Sequence, residues 1–263
     1  MSDIAGKKVV ITGAGRGIGR EMALRATADG AIVALIEIDP NTLAKTLSDI
    51  HGKGGKAYGY QLDLGDEQAV KSTFNKISQD IGEIDVLVNN AMVHEAEALH
   101  ETSLESWNNS LKITLTGAFL CIREVLPMFM KRKRGNIINI GTVNAKGMFG
   151  SDAYSVAKAG VHQMTRSVAV RYGEYGVRCN TVVPGTIATE AWIERAKANP
   201  QVFEDLKPWY PMGRVGTPKD ITEMVLFLIS DRSEWISGAE LVVDGGLLAG
   251  YTPMFNTIEG RKP

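Results

Sequence analysis

Short apolar runs rich in β-branched residues alternate with longer segments of helical periodicity along almost the whole chain. This alternation is typical of a parallel sheet with helices on both faces, because parallel strands need helical crossovers and are buried on both sides. The predicted strands are 8–11, 32–37, 57–61, 86–89, 135–140, 178–183 and 241–243. The predicted helices are 18–29, 41–53, 67–81, 103–131, 153–175 and 220–230. The pattern therefore predicts a doubly wound α/β fold with a seven-stranded parallel sheet.

Length and composition favour a single domain over residues 1–263. A chain of 263 residues that is 44% hydrophobic can form one large core, and it contains no repeats, low-complexity tracts or Pro/Ser linkers. One stretch, 186–216, is irregular and carries Trp192, Trp209 and Tyr210 among prolines and charged residues. It follows a strand end, where doubly wound folds place loops over their ligand, so we predict a lid there.

The charge balance excludes two classes of partner. The formal net charge is -1, which provides no basic excess to hold nucleic acid or an anionic membrane. No apolar run approaches the roughly 18 residues of a membrane span. The two cysteines, Cys121 and Cys179, each stand alone in an apolar pattern, as in a reducing cytoplasm. We therefore expect a cytoplasmic protein without nucleic acid, membrane or metal partners.

A glycine-rich segment follows the first predicted strand and opens the first predicted helix. Residues 12–19 read TGAGRGIG. Glycines there allow a tight turn and a close backbone approach to a pyrophosphate, whose charge is held by free N–H groups and the positive end of the helix. A simple strand-to-helix turn needs one glycine, so four favour a Rossmann-type dinucleotide site. The predicted contacts are Gly13, Gly15, Arg16, Gly17, Ile18 and Gly19.

Glu37 ends the second predicted strand, about 20 residues beyond the glycine-rich loop. A carboxylate there can accept hydrogen bonds from both ribose hydroxyls of an adenosine and repel a 2′-phosphate. NAD is therefore predicted as the cofactor, with NADP less favoured. Arg16 could instead bind a 2′-phosphate, and Asp39 is an alternative ribose partner.

Together with further motifs, this loop resembles the short-chain dehydrogenase/reductase family. The others are Asp63 after the third strand, NNA at 89–91, YSVAK at 154–158 and PGTIAT at 184–189. The resemblance extends to Asp244-Gly245-Gly246 and covers nearly the whole chain. It implies an NAD(P)-dependent oxidoreductase acting on CH–OH groups. It also implies further cofactor contacts at Asp63, Leu64, Asn89, Ala91, Tyr154, Lys158, Pro184, Gly185, Ile187 and Thr189.

Tyr154 and Lys158 are the predicted chemical centre. Four residues apart on a helix, they project from one face. A phenol with an ordinary pKa near 10 is a poor base at neutral pH, but a nearby ammonium and a cationic nicotinamide would both favour the phenolate. Tyr154 would then take the hydroxyl proton as hydride leaves for the cofactor.

Three positions depart from the family pattern. Thr142 stands where the family has a serine that hydrogen-bonds the substrate oxygen, and we assign it that role. Thr114 replaces an asparagine of the family's proton relay, which predicts an altered relay. Met92 replaces a glycine near the nicotinamide, where it either shapes the substrate pocket or fills core.

Several functional alternatives remain open. A cofactor-binding sensor with little catalysis is possible, although the presence of both Tyr154 and Lys158 favours an enzyme. The substrate is either a sugar-like or polyhydroxylated molecule or a 3-oxoacyl thioester, and polar and aromatic residues around the pocket favour carbohydrate metabolism. Those residues are His94, Glu95, Glu97, Lys146, Trp192, Arg195, Trp209 and Tyr210. Substrate contacts are predicted at Met92, His94, Asn144 and Trp192.

The two longest predicted helices, 103–131 and 153–175, carry apolar residues on more than one face. One contact with the sheet cannot cover them. We therefore expect a homo-oligomer, a tetramer as in similar proteins or a dimer.

Overall fold

The computed structural model describes residues 3–94 and 97–261, without the side chains of residues 194 and 195. Within these ranges one parallel sheet contains seven strands in the order β3-β2-β1-β4-β5-β6-β7. The strands are β1 (Lys8–Thr12), β2 (Ile32–Glu37), β3 (Lys56–Gln61), β4 (Val86–Asn89), β5 (Gly135–Ile140), β6 (Val177–Pro184) and β7 (Glu240–Val243). The predicted Rossmann-type fold is confirmed, and every strand end lies within about one residue of its expected place.

Helices connect the strands and cover both faces of the sheet. Their bounds are α1 (Gly17–Ala28), α2 (Pro40–His51), α3 (Glu67–Ile81), α4 (Leu104–Ser110), α5 (Gly117–Arg132), α6 (Asp152–Tyr172), α7 (Ile193–Ala198), α8 (Val202–Leu206), α9 (Pro218–Ile229) and α10 (Thr252–Ile258). Side-chain caps start several of them: Asp66 accepts a hydrogen bond from the Ala69 backbone N–H at the start of α3.

Three helix predictions need correction. The helix expected over 103–131 contains a π-helical segment, Leu111–Thr116, between α4 and α5. The helix expected over 153–175 leaves α geometry at Tyr172 and continues as one 3₁₀ turn, Gly173–Tyr175. Helices α7, α8 and α10 were not predicted at all, because they are short and lack a buried apolar stripe.

Each face of the sheet carries its own core. On one face, Met22 of α1 and Val225 of α9 pack with Val9 and Val33 of the sheet. On the other face, helices α3, α5 and α6 contribute to the second cluster. The expectation that every strand is doubly buried is wrong for β3 and β7, because they are the two edges of the sheet and are partly exposed.

One helical stretch in the described part of the chain, Leu104–Arg132, could cross a membrane by length and composition alone, with a mean hydropathy of 1.5 over its most apolar window. Charged residues interrupt this stretch, so its sequence contains no continuous apolar run of that length. Half of that window is buried within the protein, and core helices of folded domains often have the same length and hydropathy.

The two ends of the predicted lid, residues 186–216, are joined by hydrogen bonds. Ile187 pairs with Gly216 in an isolated parallel bridge. The Gly216 backbone N–H donates to the Thr186 carbonyl and the Ala188 N–H donates to the Gly216 carbonyl, each at 2.9 Å. Residues 188–216 therefore leave and rejoin the body of the protein at one point.

Candidate active site

A cleft of about 940 Å³ lies at the carboxyl ends of the strands. It extends from the end of β2 to the end of β6 and is bordered by the lid and by residues 247–251 near the C-terminus. The order of the strands reverses between β1 and β4, and doubly wound sheets bind their ligands in the crevice at such a point. The cleft is therefore the candidate active site.

The glycine-rich loop leaves no space for side chains. Gly13 has φ +63°, and a Cβ there would lie 2.9 Å from the Ala91 Cα. The Thr12 hydroxyl accepts hydrogen bonds from the backbone N–H groups of Asn90 (3.0 Å) and Ala91 (3.1 Å), which fixes the loop after β4 against it. The loop thus presents bare backbone at the floor of the cleft.

The start of α1 binds an anionic group within this structure. The Gly17 backbone N–H donates a hydrogen bond to the Glu190 carboxylate at 3.1 Å. Free N–H groups and the helix dipole attract negative charge at such a position. Because a carboxylate occupies it, the site fits the pyrophosphate of a dinucleotide, with Gly13, Arg16, Gly17 and Ile18 lining the cleft around it.

Glu37 is fixed in the cleft by three backbone N–H groups. Its carboxylate accepts from Gly15 at 2.9 Å, from Ile38 at 2.9 Å and from Asp39 at 3.2 Å. Asp39, the alternative ribose partner, instead caps α2 by accepting from the Asn41 N–H at 2.8 Å. Glu37 lines the cleft with Asp63 and Leu64, and Asp39 does not, so Glu37 is the one of these two carboxylates that a bound ribose could reach.

Helix α6 and the end of β5 bring the catalytic candidates together. Tyr154 and Lys158 are 8% and 2% exposed, and both line the cleft with Thr142. The Lys158 Nζ donates to the Ile140 carbonyl at 2.5 Å and lies 5.8 Å from the centroid of the Tyr154 ring. Thr142 hydrogen-bonds to Asn144, with 3.2 Å between Oγ1 and Oδ1. A phenol, a hydroxyl and an amine thus converge on one wall.

Burial controls the protonation of this cluster. It raises the pKa of Tyr154 to about 12, and interaction with the Thr142 side chain acts in the opposite direction. Burial also lowers the pKa of Lys158 to about 7. We expected the Lys158 ammonium to lower the pKa of Tyr154. In the protein without its cofactor the pKa of Tyr154 is raised instead, because the burial of the phenol has the larger effect. The phenol is protonated at neutral pH and Lys158 is close to its midpoint.

The chain is similar to known proteins over most of its length. Residues 13–248 match the model of a family described as enoyl-(acyl carrier protein) reductase. The chain is 41% identical over 249 residues to an uncharacterized oxidoreductase of Schizosaccharomyces pombe, covering 94% of this chain and 93% of the relative. A crystal structure of an oxidoreductase (short chain dehydrogenase/reductase family) from Burkholderia thailandensis superposes with a TM-score of 0.91 at 37% identity, covering 98% of this chain and 99% of the other.

The chain belongs to the short-chain dehydrogenase/reductase family. It is accordingly an oxidoreductase acting on hydroxyl groups with a nicotinamide cofactor. Another relative is the (2S)-[(R)-hydroxy(phenyl)methyl]succinyl-CoA dehydrogenase subunit BbsD of Thauera aromatica, 36% identical over 249 residues and covering 94% of this chain and 99% of that protein.

Most residues expected from the family motifs lie on the cleft wall, and a few lie behind it. Ala91, Pro184, Gly185, Ile187 and Thr189 line the cleft as expected. The others, Gly15, Gly19 and Asn89, are absent from the lining. The Asn89 side chain donates to the Asn139 Oδ1 at 2.9 Å within the core, and Asn90 faces the cleft instead.

Thr114, the candidate for an altered proton relay, is also absent from the cleft wall. It lies in the π-helical segment, is 1% exposed and hydrogen-bonds to the backbone of Val93. Its hydroxyl accepts from the Val93 N–H at 3.1 Å and lies 3.4 Å from the Val93 carbonyl. Thr114 therefore supports the loop that carries Met92 and His94, and its role in a proton relay stays a prediction.

The substrate end of the cleft contains all four predicted contacts, Met92, His94, Asn144 and Trp192. The His94 Nε2 lies 2.8 Å from the Ser151 Oγ, and its ring meets the Tyr154 ring edge-on at 5.0 Å between centroids. Sequence reasoning missed several apolar neighbours, which belong to no motif. They are Val93, Met148, Phe149, Leu206, Leu247 and Tyr251.

Two polar residues that suggested a carbohydrate do not line the cleft. Lys146 forms an ion pair with Glu240 at 2.5 Å, and Glu97 is exposed elsewhere. Glu95 and the side chain of Arg195 lie outside the described residues. Trp209 and Tyr210 line the cleft, and the Tyr210 hydroxyl accepts from the Thr186 N–H at 2.8 Å. The described wall is thus more apolar than the sequence suggested.

Proposed function

We propose that this enzyme uses NAD to interconvert a secondary hydroxyl and a carbonyl on a small molecule with an apolar body. The observation that carries this proposal is the convergence of Tyr154, Thr142 and Lys158 on the same cleft as the glycine-rich loop and Glu37. A proton-transfer group and a dinucleotide site that share one cleft are what hydride transfer to or from a carbinol carbon needs.

The residues have separate tasks in this reaction. The hydroxyls of Tyr154 and Thr142 hydrogen-bond to the substrate oxygen and hold the carbinol carbon in place. During oxidation Tyr154 accepts the hydroxyl proton, and during reduction it returns that proton to the oxygen. The nicotinamide ring, when bound, supplies the hydride acceptor or donor. Burial of Tyr154 and Lys158 keeps water from the transferred proton.

The preference for NAD rests on Glu37. Its carboxylate is held by three backbone N–H groups, so it cannot turn away without losing those hydrogen bonds. A fixed negative charge beside the adenosine ribose repels a 2′-phosphate and accepts hydrogen bonds from ribose hydroxyls. Arg16, which could instead bind a 2′-phosphate, is exposed and lines the same cleft, so the NAD preference rests on the charge of Glu37 alone.

The proposed substrate class is inferred from the side chains that line the cleft together with Tyr154. The described side chains there include Met92, Met148, Phe149, Trp192 and Tyr251, with His94 and Asn144 as polar groups. Apolar and aromatic walls with a few polar groups bind a largely apolar molecule in one orientation. An apolar alcohol or ketone therefore fits better than a sugar.

An acyl thioester is the second candidate substrate. The matched family is described as enoyl-(acyl carrier protein) reductase, and the Thauera aromatica relative is named for a hydroxylated succinyl-CoA. A thioester would place its acyl chain against the same apolar wall.

The experiment is a substrate panel followed by absorbance at 340 nm. Apolar secondary alcohols, polyols and 3-hydroxyacyl thioesters are each offered with NAD+ and with NADP+. We expect turnover of an apolar alcohol or a thioester with NAD+, and a loss of about 10³-fold in Tyr154→Phe. The exposed Tyr58→Phe serves as the matched control. Turnover of polyols alone would contradict the substrate class, and full activity of Tyr154→Phe would contradict the mechanism.

The pH dependence gives a second check. Because the pKa of Tyr154 is raised, the phenolate needed for oxidation is scarce at pH 7 and increases with pH. The oxidation rate should rise by up to about tenfold per pH unit until another step becomes limiting. Reduction needs the protonated phenol, so the rate of reduction should not increase over the same pH range.

We also propose that the protein self-associates through α5 and α6. Phe119 on α5 and Val156 and Val170 on α6 are 44%, 49% and 85% exposed, which is unusual for large apolar side chains on long helices. Light scattering of the purified protein would measure the oligomeric state, and a monomer at micromolar concentration would contradict the proposal.

A further inference from the structure

A lid carboxylate lies at the anion site of α1. Glu190 directly follows Thr189 at the base of the lid and begins a 3₁₀ turn, Glu190–Trp192. Its Oε2 accepts a hydrogen bond from the Gly17 N–H at 3.1 Å, at the first residue of α1. The lid and the glycine-rich loop are thus joined by a charged side chain at the place proposed for the cofactor pyrophosphate.

The two carboxylates on this loop differ in how firmly they are held. Glu37 is partly buried and accepts from three backbone N–H groups. Glu190 is exposed, and the contact that joins it to the loop is made to Gly17. An exposed side chain with three rotatable bonds can leave such a contact at a small cost in free energy. Glu190 can therefore be displaced, whereas Glu37 stays.

A phosphate and the Glu190 carboxylate cannot share the Gly17 N–H. Each needs the same donor, and two anions at hydrogen-bond distance from one group repel each other strongly in a partly buried cleft. The contact between lid and loop must open before a pyrophosphate can bind.

We propose that Glu190 is an internal anion that holds the lid against α1 until the dinucleotide displaces it, and that it weakens cofactor binding by this competition. This inference rests on the proposed dinucleotide site. Glu190 thus acts as a positioning residue: it fixes the first turn of the lid to α1 in the free enzyme, and its release frees that turn when the cofactor enters.

The test is the dissociation constant of NADH, measured by calorimetry for the wild-type enzyme and for Glu190→Gln. Glutamine keeps an oxygen for the Gly17 N–H but removes the charge, so NADH should bind about three- to tenfold more tightly. The gain should shrink when the salt concentration is raised from about 0.05 to about 0.5 M, because salt screens exposed charges.

Two controls isolate the charge at this place. Glu174→Gln makes the same change in net charge in an exposed turn before the start of β6, at the amino ends of the strands and away from the cleft, and should not alter NADH binding. Adenosine, which has the ribose but no phosphate, should bind the wild-type enzyme and Glu190→Gln equally. Equal gains for adenosine would show that the effect is not competition for the phosphate position and would overturn the proposal.

Hydrogen–deuterium exchange gives a readout independent of affinity. In Glu190→Ala without cofactor, peptides covering 186–198 should exchange faster than in the wild-type enzyme, because the contact with Gly17 is lost. With saturating NADH the two proteins should exchange alike. Unchanged exchange in the free variant would contradict the role in holding the lid.

The proposed function and this inference fail in different ways. If the wild-type enzyme binds no nicotinamide dinucleotide, the proposed function is wrong. If it binds NADH and Glu190→Gln binds it no more tightly, the dinucleotide site stands and the displacement by Glu190 is wrong.

Discussion

The two halves of the cleft are built from different materials. The cofactor half, where we propose that the dinucleotide binds, is made of backbone and one fixed carboxylate. Its glycine-rich turn packs so closely on the chain after β4 that a Cβ on Gly13 would lie 2.9 Å from the Ala91 Cα. The substrate half is made of side chains on loops, the lid and residues 247–251. Backbone geometry constrains which residue types can stand at a position, whereas a loop side chain can be exchanged freely. A short sequence motif therefore predicts the cofactor half, whereas no motif predicts the substrate half.

The largest effect is expected for a substitution in the substrate half, which should reduce turnover without changing cofactor binding in the other half. Thr142→Ala removes a hydroxyl that supports charge on the substrate oxygen, so kcat/KM should fall by about 10²- to 10³-fold. Thr142→Ser keeps that hydroxyl and should retain most activity. NADH affinity, measured by calorimetry, should stay unchanged in both. If Thr142→Ala weakened NADH binding as much as turnover, the division between the halves would be wrong.

Lys158 lies where the two halves meet, and its burial costs stability. The pKa of Lys158 falls from 10.5 to about 7 on folding. Between those values the unfolded chain binds more protons than the folded one, so the free energy of unfolding rises with pH. Lys158→Met removes this dependence and should be more stable at pH 7 by about 2 kcal/mol, although inactive.

Urea unfolding at pH 7 and pH 9.5 measures that difference. The advantage of Lys158→Met should shrink at the higher pH, where wild-type Lys158 is neutral in the folded enzyme and closer to neutral in the unfolded chain. The exposed Lys71→Met is the matched control and should show no such trend. If the difference in the free energy of unfolding between Lys158→Met and the wild-type enzyme grew with pH, Lys158 would be charged in the folded enzyme.

The smallest effect is expected for a substitution in the cofactor half that changes the preference between NADH and NADPH. Glu37→Gln keeps an acceptor for the Gly15 N–H and removes the charge, so the preference for NADH over NADPH should fall about tenfold. Steady-state kinetics with both cofactors gives the ratio, and Glu174→Gln controls for net charge. An unchanged ratio would assign the preference to another part of the loop.

The sequence predicted the elements whose signal is local. All seven strands and the start of α1 follow from apolar runs and from the glycine spacing, and Tyr154 and Lys158 share a face because of helical periodicity. The π-helical segment was missed because one extra residue per turn hardly disturbs an apolar pattern. The role of Thr114 in a proton relay stays a prediction, because its place in a motif does not tell which way its side chain points.

Other features depend on distant parts of the chain. Tyr251 reaches the cleft although about 100 residues separate it from Tyr154, and no local pattern marks that approach. Lys146 was read as a pocket residue, but it pairs with Glu240 of the edge strand β7, a partner that only the sheet order brings near. The contact between Glu190 and Gly17 likewise joins residues that are neighbours only in the fold.

The bridge between Ile187 and Gly216 has an evolutionary consequence. Because the loop is fastened at its base, insertions, deletions and exchanges between those two residues add little closure entropy and leave the sheet untouched. New substrates can thus be recruited by altering one surface segment, while hydride chemistry and coenzyme selection are inherited unchanged.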